Sequence, residues 1–428
     1  MVPASPSHVA AQAAQQEPRS SHATARDASR LQALGAVLPP EIAFLASRGA
    51  PLGALLSAAA EARRLRVPPD AALVASGAIA DDAYVAALAR HLGVGYTDAP
   101  EEAPVSPVAA RAGVAPLPDG RVLVAPEGPA VARLFAFQRA GALPRERVVL
   151  TTPRRFAAWA RLSAGEAIAD EASNELRRAD PALSAATGLS RAQVVTLAGL
   201  AFLVLAAFGF SADASFALGQ ALGAVMLAGV LLRLFASAAS CDAPPPPSPP
   251  LADADLPVYT LIVPLYREAE VAAKLARALD GLDYPRARLD VKIVLEADDR
   301  ETRAAFERLA LPACFEIVVA PPGAPRTKPR ALNVALPFAR GALVTVYDAE
   351  DEPEPGQLRL AAARFAGAPA SLACLQARLA IDNSADGWLA SLFAIEYAAL
   401  FDVMNPGLTA LNLPMPLGGT SNHFRAIR

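Results

Sequence analysis

Three acidic clusters punctuate the sequence after residue 256. Glu268 closes the motif Pro-Leu-Tyr-Arg-Glu at 264–268, Asp298 and Asp299 close Glu-Ala-Asp-Asp at 296–299, and Asp348, Glu350 and Asp351 lie in Asp-Ala-Glu-Asp at 348–351. Each cluster follows an apolar run. An aspartate after a strand often caps a helix, but three acidic ends on one rim repel each other unless a cation or a hydrogen-bonding ligand lies between them. Hard oxygen donors of this kind suit Mg2+ or Mn2+, with phosphate oxygens completing the shell. Lys328 and Arg330, near the start of a helical pattern over 329–338, add positive charge suited to a diphosphate.

The elements that carry these residues alternate. Strand-like runs over 258–263, 291–295, 316–319 and 342–347 are separated by helical patterns over 268–279, 299–309 and 329–338. Such alternation predicts an α/β domain with a mostly parallel sheet and helices on both faces. Ligands of such sheets bind beyond the carboxyl ends of the strands, where the acidic clusters fall.

The rest of the chain bounds this domain. The 428 residues are 54% hydrophobic and only 19% charged, with mean hydropathy +0.30, which points to membrane contact and excludes a mainly disordered protein. A net charge of −3 gives no basic field for a nucleic-acid partner. Three scattered cysteines make neither a disulfide framework nor a zinc site. Residues 1–30 read as a disordered tail and 31–165 as a small α+β domain, with a helix, a break at Gly77 and a second helix over 70–92. Asp81 and Asp82 stand where helix caps stand. Residues 166–190 read as a linker. Residues 192–236 read as a two-helix transmembrane hairpin, because Asp213 is the one charge between Arg191 and Arg233 and each half is about one bilayer long. Arginines flank the hairpin and its turn has none, which sets both large flanking parts on the cytoplasmic side. A proline-rich linker over 237–256 precedes the domain at 257–428.

The motifs at 262–268, 295–299, 327–333, 347–351 and 417–424 occur in an order that resembles the membrane-bound family 2 glycosyltransferases, the group of the cellulose, chitin and hyaluronan synthases. They look closest to a bacterial exopolysaccharide subgroup with an extra N-terminal domain. The resemblance implies a GT-A-like fold and a nucleoside pocket lined by Pro264, Tyr266 and Glu268, with Asp298 or Asp299 on the base or ribose and Lys328 near the nucleotide. Asp348 and Glu350 would hold Mg2+ or Mn2+ on the diphosphate, with Asp351 assisting, and Gly419, Thr420, Ser421 and Asn422 would lie near the acceptor sugar. Gln376, Arg378, Glu396 and Tyr397 fall in family-like stretches, structural or acceptor-side. The implied function is transfer, with inversion, of a sugar from a nucleotide sugar, such as a UDP-sugar, to a growing polysaccharide at the bacterial inner membrane. The family's catalytic base lies in a Thr-Glu-Asp motif after the Gly-Gly-Thr-Ser loop, and this sequence ends at Arg428 before it, so 257–428 reads as an incomplete domain. The alternative is a catalytically silent, membrane-tethered binding subunit.

Residues 73–96 resemble the N-terminal domain of type II secretion ATPases, a regulatory or docking unit that in some proteins binds cyclic di-GMP. The secretion ATPase itself is excluded, because no Gly-x-x-x-x-Gly-Lys-Ser/Thr loop is present. A dinucleotide-binding dehydrogenase is excluded likewise, since no Gly-x-Gly-x-x-Gly follows Val263.

Overall fold

The computed structural model describes residues 38–100, 109, 112–184, 188–210, 212–240 and 248–426. The expected tail, 1–30, lies outside them, as does the proline run at 244–247. Before residue 180 the chain forms a four-stranded sheet of β1 (Gly95–Tyr96), β2 (Val114–Pro116), β3 (Val122–Val124) and β4 (Val148–Leu150), in the order β1-β4-β3-β2. Helices α1 (Pro40–Ala43), α2 (Leu52–Leu65), α3 (Pro69–Ala75), α4 (Asp81–Leu92) and α5 (Pro129–Arg139) accompany it. Asp81 and Asp82 are not caps. Ala80 takes the cap position without a side-chain bond, and the two aspartates occupy the first turn, where negative charge favours the helix dipole.

The second sheet has six strands in the order β7-β6-β5-β8-β10-β9. They are β5 (Tyr259–Leu265), β6 (Leu289–Glu296), β7 (Phe315–Ala320), β8 (Leu343–Val346), β9 (Cys374–Gln376) and β10 (Asn422–Arg425). The first four are mutually parallel, and β10 runs antiparallel between β8 and β9. β5 and β6 are almost continuously buried, as central parallel strands covered on both faces must be.

The two faces are covered from different parts of the chain. Tyr259, Leu261, Val263, Val291, Ile293 and Leu295 point into a core shared with Leu275 and Leu279 of α10 (Ala272–Asp280), Phe306 of α11 (Arg300–Glu307), and Leu358 and Phe365 of α13 (Gln357–Gly367). Ile262, Val294, Val318 and Val344 point the other way. They join a core with Ala331 and Val334 of α12 (Lys328–Ala335), Phe156 and Trp159 of α6 (Pro153–Ser163), and Ile168 and Ala172 of α7 (Gly165–Ala179). The segment expected as a linker, 166–190, therefore opens with an amphipathic helix whose apolar residues Ile168 and Ala172 complete the core of the later sheet. Asn333 of α12 donates its side-chain amide to the carbonyl of Ala172 at 2.9 Å.

Charges join the two regions as well. Arg161 pairs with Glu316, Glu316 with Lys292, Lys292 with Asp290, Asp290 with Arg340, and Arg340 with Glu127. The chain of alternating signs begins and ends in the first region and runs through β6 and β7.

Between the regions lie two apolar helices in contact, α8 (Arg191–Phe210) and α9 (Ala212–Ala239). Among the described residues, one helix, Ala212–Ala239, is long and apolar enough to cross a bilayer, so the expectation of two such members over 192–236 is met by one. Its last turns pack on α15 (Asn405–Ala410), where Gly407 lies so close to the Ala236 carbonyl that no Cβ fits. Nearby α14 (Trp388–Ala398) leaves Trp388, Leu389, Leu392, Phe393 and Ile395 exposed.

Candidate functional site

The carboxyl ends of β5, β6 and β8 meet on one rim, as parallel topology dictates. β5 delivers Pro264, half-buried within the strand, and then Tyr266, Arg267 and Glu268. Arg267 holds φ at 60°, a left-handed conformation that costs a non-glycine residue on the order of 1–3 kcal/mol and gathers at functional sites. This turn leaves Tyr266 41% exposed and sets the Arg267 guanidinium 5.0 Å from its ring centroid.

The two aspartates after β6 divide their work. Asp299 is buried; it caps α11 by accepting from Thr302 N at 3.1 Å and holds the β5 turn by accepting from Arg267 N at 2.5 Å. Each of its oxygens holds one backbone N–H of the fold. Asp298 is exposed, accepts from Arg326 at 2.8 Å and from the Tyr266 hydroxyl at 3.4 Å, and is held below the usual carboxylate range: desolvation is the largest single influence and raises it, but the Arg326 hydrogen bond and charge, its own backbone N–H and the Tyr266 hydroxyl together outweigh that. It lines an open cavity of about 480 Å³ with Glu296, Arg300, Pro322 and Arg326. Arg326 was not among the expected site residues; the signal was its place two residues before Lys328.

Lys328 opens α12 and reaches across to β8. Its Nζ pairs with Asp348 and donates to the Gly419 carbonyl at 2.8 Å. Arg330 departs from expectation. It is 2% exposed, bonds the Pro321 carbonyl and faces Glu296 at 3.5 Å, so it anchors the helix instead of facing a ligand.

The turn after β8 is braced. Asp351 accepts from Asp348 N at 2.7 Å and from the Thr420 hydroxyl, and Thr420 Oγ1 also accepts from Asp348 N at 3.1 Å. Asp351 thus fixes the Asp348 backbone. Glu350 is exposed. Glu268 is lifted above the usual range by burial and then by the charges of Glu350, Asp348 and Asp299, and its buried Oε2 has no hydrogen-bond partner. These carboxylates share one electrostatic field and want positive charge.

Of the expected acceptor loop, Gly419 is exposed. Thr420, Ser421 and Asn422 are buried where the chain enters β10. Gln376 steadies the loop, accepting from Gly418 N at 2.7 Å and donating to the Thr420 carbonyl at 3.1 Å, whereas Arg378 pairs with Asp402 at 2.8 Å. His423 next door is buried against Tyr259, and burial lowers its pKa to about 4.

The donor set fits a hard divalent cation in part. Asp348 and Glu350 offer carboxylate oxygens, and the unpartnered Glu268 Oε2 shows the local excess of negative charge. Among the described residues no three acidic, histidine or cysteine side chains converge as a complete metal site, so a cation there would need ligand oxygens as well.

Residues 257–416 match the family model described as glycosyltransferase like family 2. This stretch is a glycosyltransferase family 2 domain. A curated relative, the probable glycosyltransferase YdaM of Bacillus subtilis (strain 168), is 28% identical over 102 residues, 23% of this chain and 24% of its own. Two solved structures resemble part of the chain loosely. The mannosyltransferase PcManGT from Pyrobaculum calidifontis, in complex with GDP-Man and Mn2+, is 22% identical with a TM-score of 0.38, covering 49% of this chain and 55% of that one. S. aureus TarS 1–349, in complex with UDP-GlcNAc, is 19% identical with a TM-score of 0.24, covering 40% and 58%. The chain spans about a quarter of the curated relative and little more than half of each solved structure.

Proposed function

We propose that the protein is a membrane-bound glycosyltransferase that moves a sugar, with inversion, from a nucleotide-sugar donor to a growing polysaccharide for export. The observation that carries this reading is the convergence of Tyr266, Asp298, Lys328 and Asp348 on the carboxyl rim of a family 2 glycosyltransferase domain. The exposed Tyr266 ring receives the base, and Asp298, oriented by Arg326, accepts from the base or ribose. Lys328 and the amino end of α12 supply positive charge to the diphosphate. Asp348 and Glu350 would hold Mg2+ or Mn2+ together with diphosphate oxygens; bound there, the metal would neutralise charge on the leaving group. The exposed faces of α8, α9 and α14 support a transmembrane hairpin with an apolar helix beside it, in the bacterial inner membrane with both large regions cytoplasmic. Residues 31–165 serve as a regulatory or docking unit, for a protein partner or a nucleotide such as cyclic di-GMP.

Calorimetric titration of UDP into the full chain in detergent, with and without Mn2+, tests the donor site. Metal-dependent binding that Asp348→Ala abolishes is the expected result. Binding indifferent to both metal and Asp348 sinks the metal assignment, and no binding by folded protein sinks the donor site.

A further inference from the structure

A second cavity, of about 340 Å³, lies at the opposite end of the later sheet from the candidate site. The first region contributes α3 and α4 to its walls, and the glycosyltransferase domain contributes the amino ends of β6 and β7 and the segment after α12. Val74, Tyr84, Phe156 and Phe338 make much of the lining apolar. The size is within the range of small-molecule sites, roughly 300–1,000 Å³.

Asp70 lines this space. It is 7% exposed, and its Oδ1, itself closed to solvent, has no hydrogen-bond partner, so a donor from the cavity meets the carboxylate at its other oxygen. A buried carboxylate oxygen without a donor is costly. The cations around the cavity are engaged elsewhere. Arg340 pairs with Glu127 and Asp290, Lys292 with Asp290 and Glu316, Arg286 with Asp280, and Arg154 donates to the Ala313 carbonyl. Asp81 lines the same cavity, and burial raises both carboxyls, that of Asp70 to about 7. The unmet requirement is for a donor with positive charge on an apolar body.

We propose that this cavity binds a small organic cation, an amine or guanidinium group donating to Asp70 with its carbon skeleton against the apolar walls. The site has a route to the catalytic rim. α12 begins at Lys328, beside Asp348, and the chain leaving it supplies Phe338 and Arg340 to the cavity wall. Occupancy of the cavity is thereby coupled to the position of Lys328; this second step rests on the functional reading above.

Agmatine, which carries both an amine and a guanidinium, is the probe. Calorimetry on the full chain in detergent is expected to show one saturable site per chain. Asp70→Asn, the same shape without the charge, should weaken it about tenfold or more, as loss of a charge-assisted hydrogen bond does. The melting temperature of the variant reports that it is folded. No saturable binding to the native chain overturns the site, as does a folded Asp70→Asn variant that binds equally well. UDP affinity should change when agmatine is saturating, and an unchanged affinity overturns the coupling. If UDP does not bind at all, the functional reading fails while the agmatine result stands.

Discussion

Cutting the buried charge chain at Arg161 and cutting it at Glu316 should give unequal losses. Arg161 and Glu316 meet at 3.0 Å with side chains 5% and 10% exposed, one on α6 and the other on β7. Arg161→Ala removes one charged hydrogen bond, worth about 1.5–3 kcal/mol. It also removes the guanidinium 5.0 Å from the Phe338 centroid, about 0.5–2 kcal/mol. Glu316 keeps Lys292 at 2.5 Å, so its charge stays compensated, and the total loss should be about 2–5 kcal/mol, nearer the lower end because the two contributions share one guanidinium. Glu316→Ala strips a partner from two buried cations at once. Lys292 retains Asp290 at 3.0 Å, but Arg161 is left uncompensated, which places the loss at or above about 3–5 kcal/mol. The double variant should cost less than the two single losses combined, because the second removal relieves the charge stranded by the first. Urea denaturation of the full chain in detergent, followed by the fluorescence of Trp159 on the same helix, measures all three. Additive losses, or a larger loss for Arg161→Ala than for Glu316→Ala, would refute the claim that this pair bonds the two regions.

Other outcomes follow from the same contacts. Residues 256–428 expressed alone should not fold cooperatively, because α6 and α7 are missing from the core around Val318 and Val334, and residues 38–184 supplied as a separate chain should rescue them; a sharp melting transition of the shorter fragment alone would contradict this. Asp70 titrates near 3.8 when unfolded and at about 7 when folded, so its contribution is present below the lower value and lost as pH rises through the upper. Asp70→Asn should therefore raise stability near pH 7.5, by at most about 4 kcal/mol, and leave it unchanged near pH 3.5, as denaturation at the two pH values will show. Tyr266→Ala should weaken UDP binding by about 1–3 kcal/mol through lost stacking, read by calorimetry, without lowering the melting temperature.

Much of the later sheet was legible because its strands are apolar runs between polar turns. β5 to β8 fall within two residues of expectation, Tyr266 after β5 bonds Asp298 after β6, and Lys328 at the start of α12 pairs with Asp348 after β8. The split between Asp298 and Asp299 was not legible, since adjacent aspartates look alike until one is seen to cap a helix. α7 was missed because its stripe has one large residue, Ile168, among alanines, giving little contrast with a polar linker. β10 is not expected from the sequence, because the glycines at 418 and 419 mask the strand that follows. The buried charge chain did leave a trace. Lys292 interrupts an apolar strand, and the register sets it beside Glu316 on the neighbouring strand, a pairing one strand alone cannot reveal.

The core shared by α6, α7 and the later sheet also imposes a parity on the chain. Ile168 and Val318 belong to one packed interior, yet α8 and α9 lie between them in sequence. Two segments that pack together occupy the same aqueous compartment. Whatever passes through lipid between them must pass back, so the number of crossings between residues 180 and 256 is even. A single span, however apolar, would tear this interior in two.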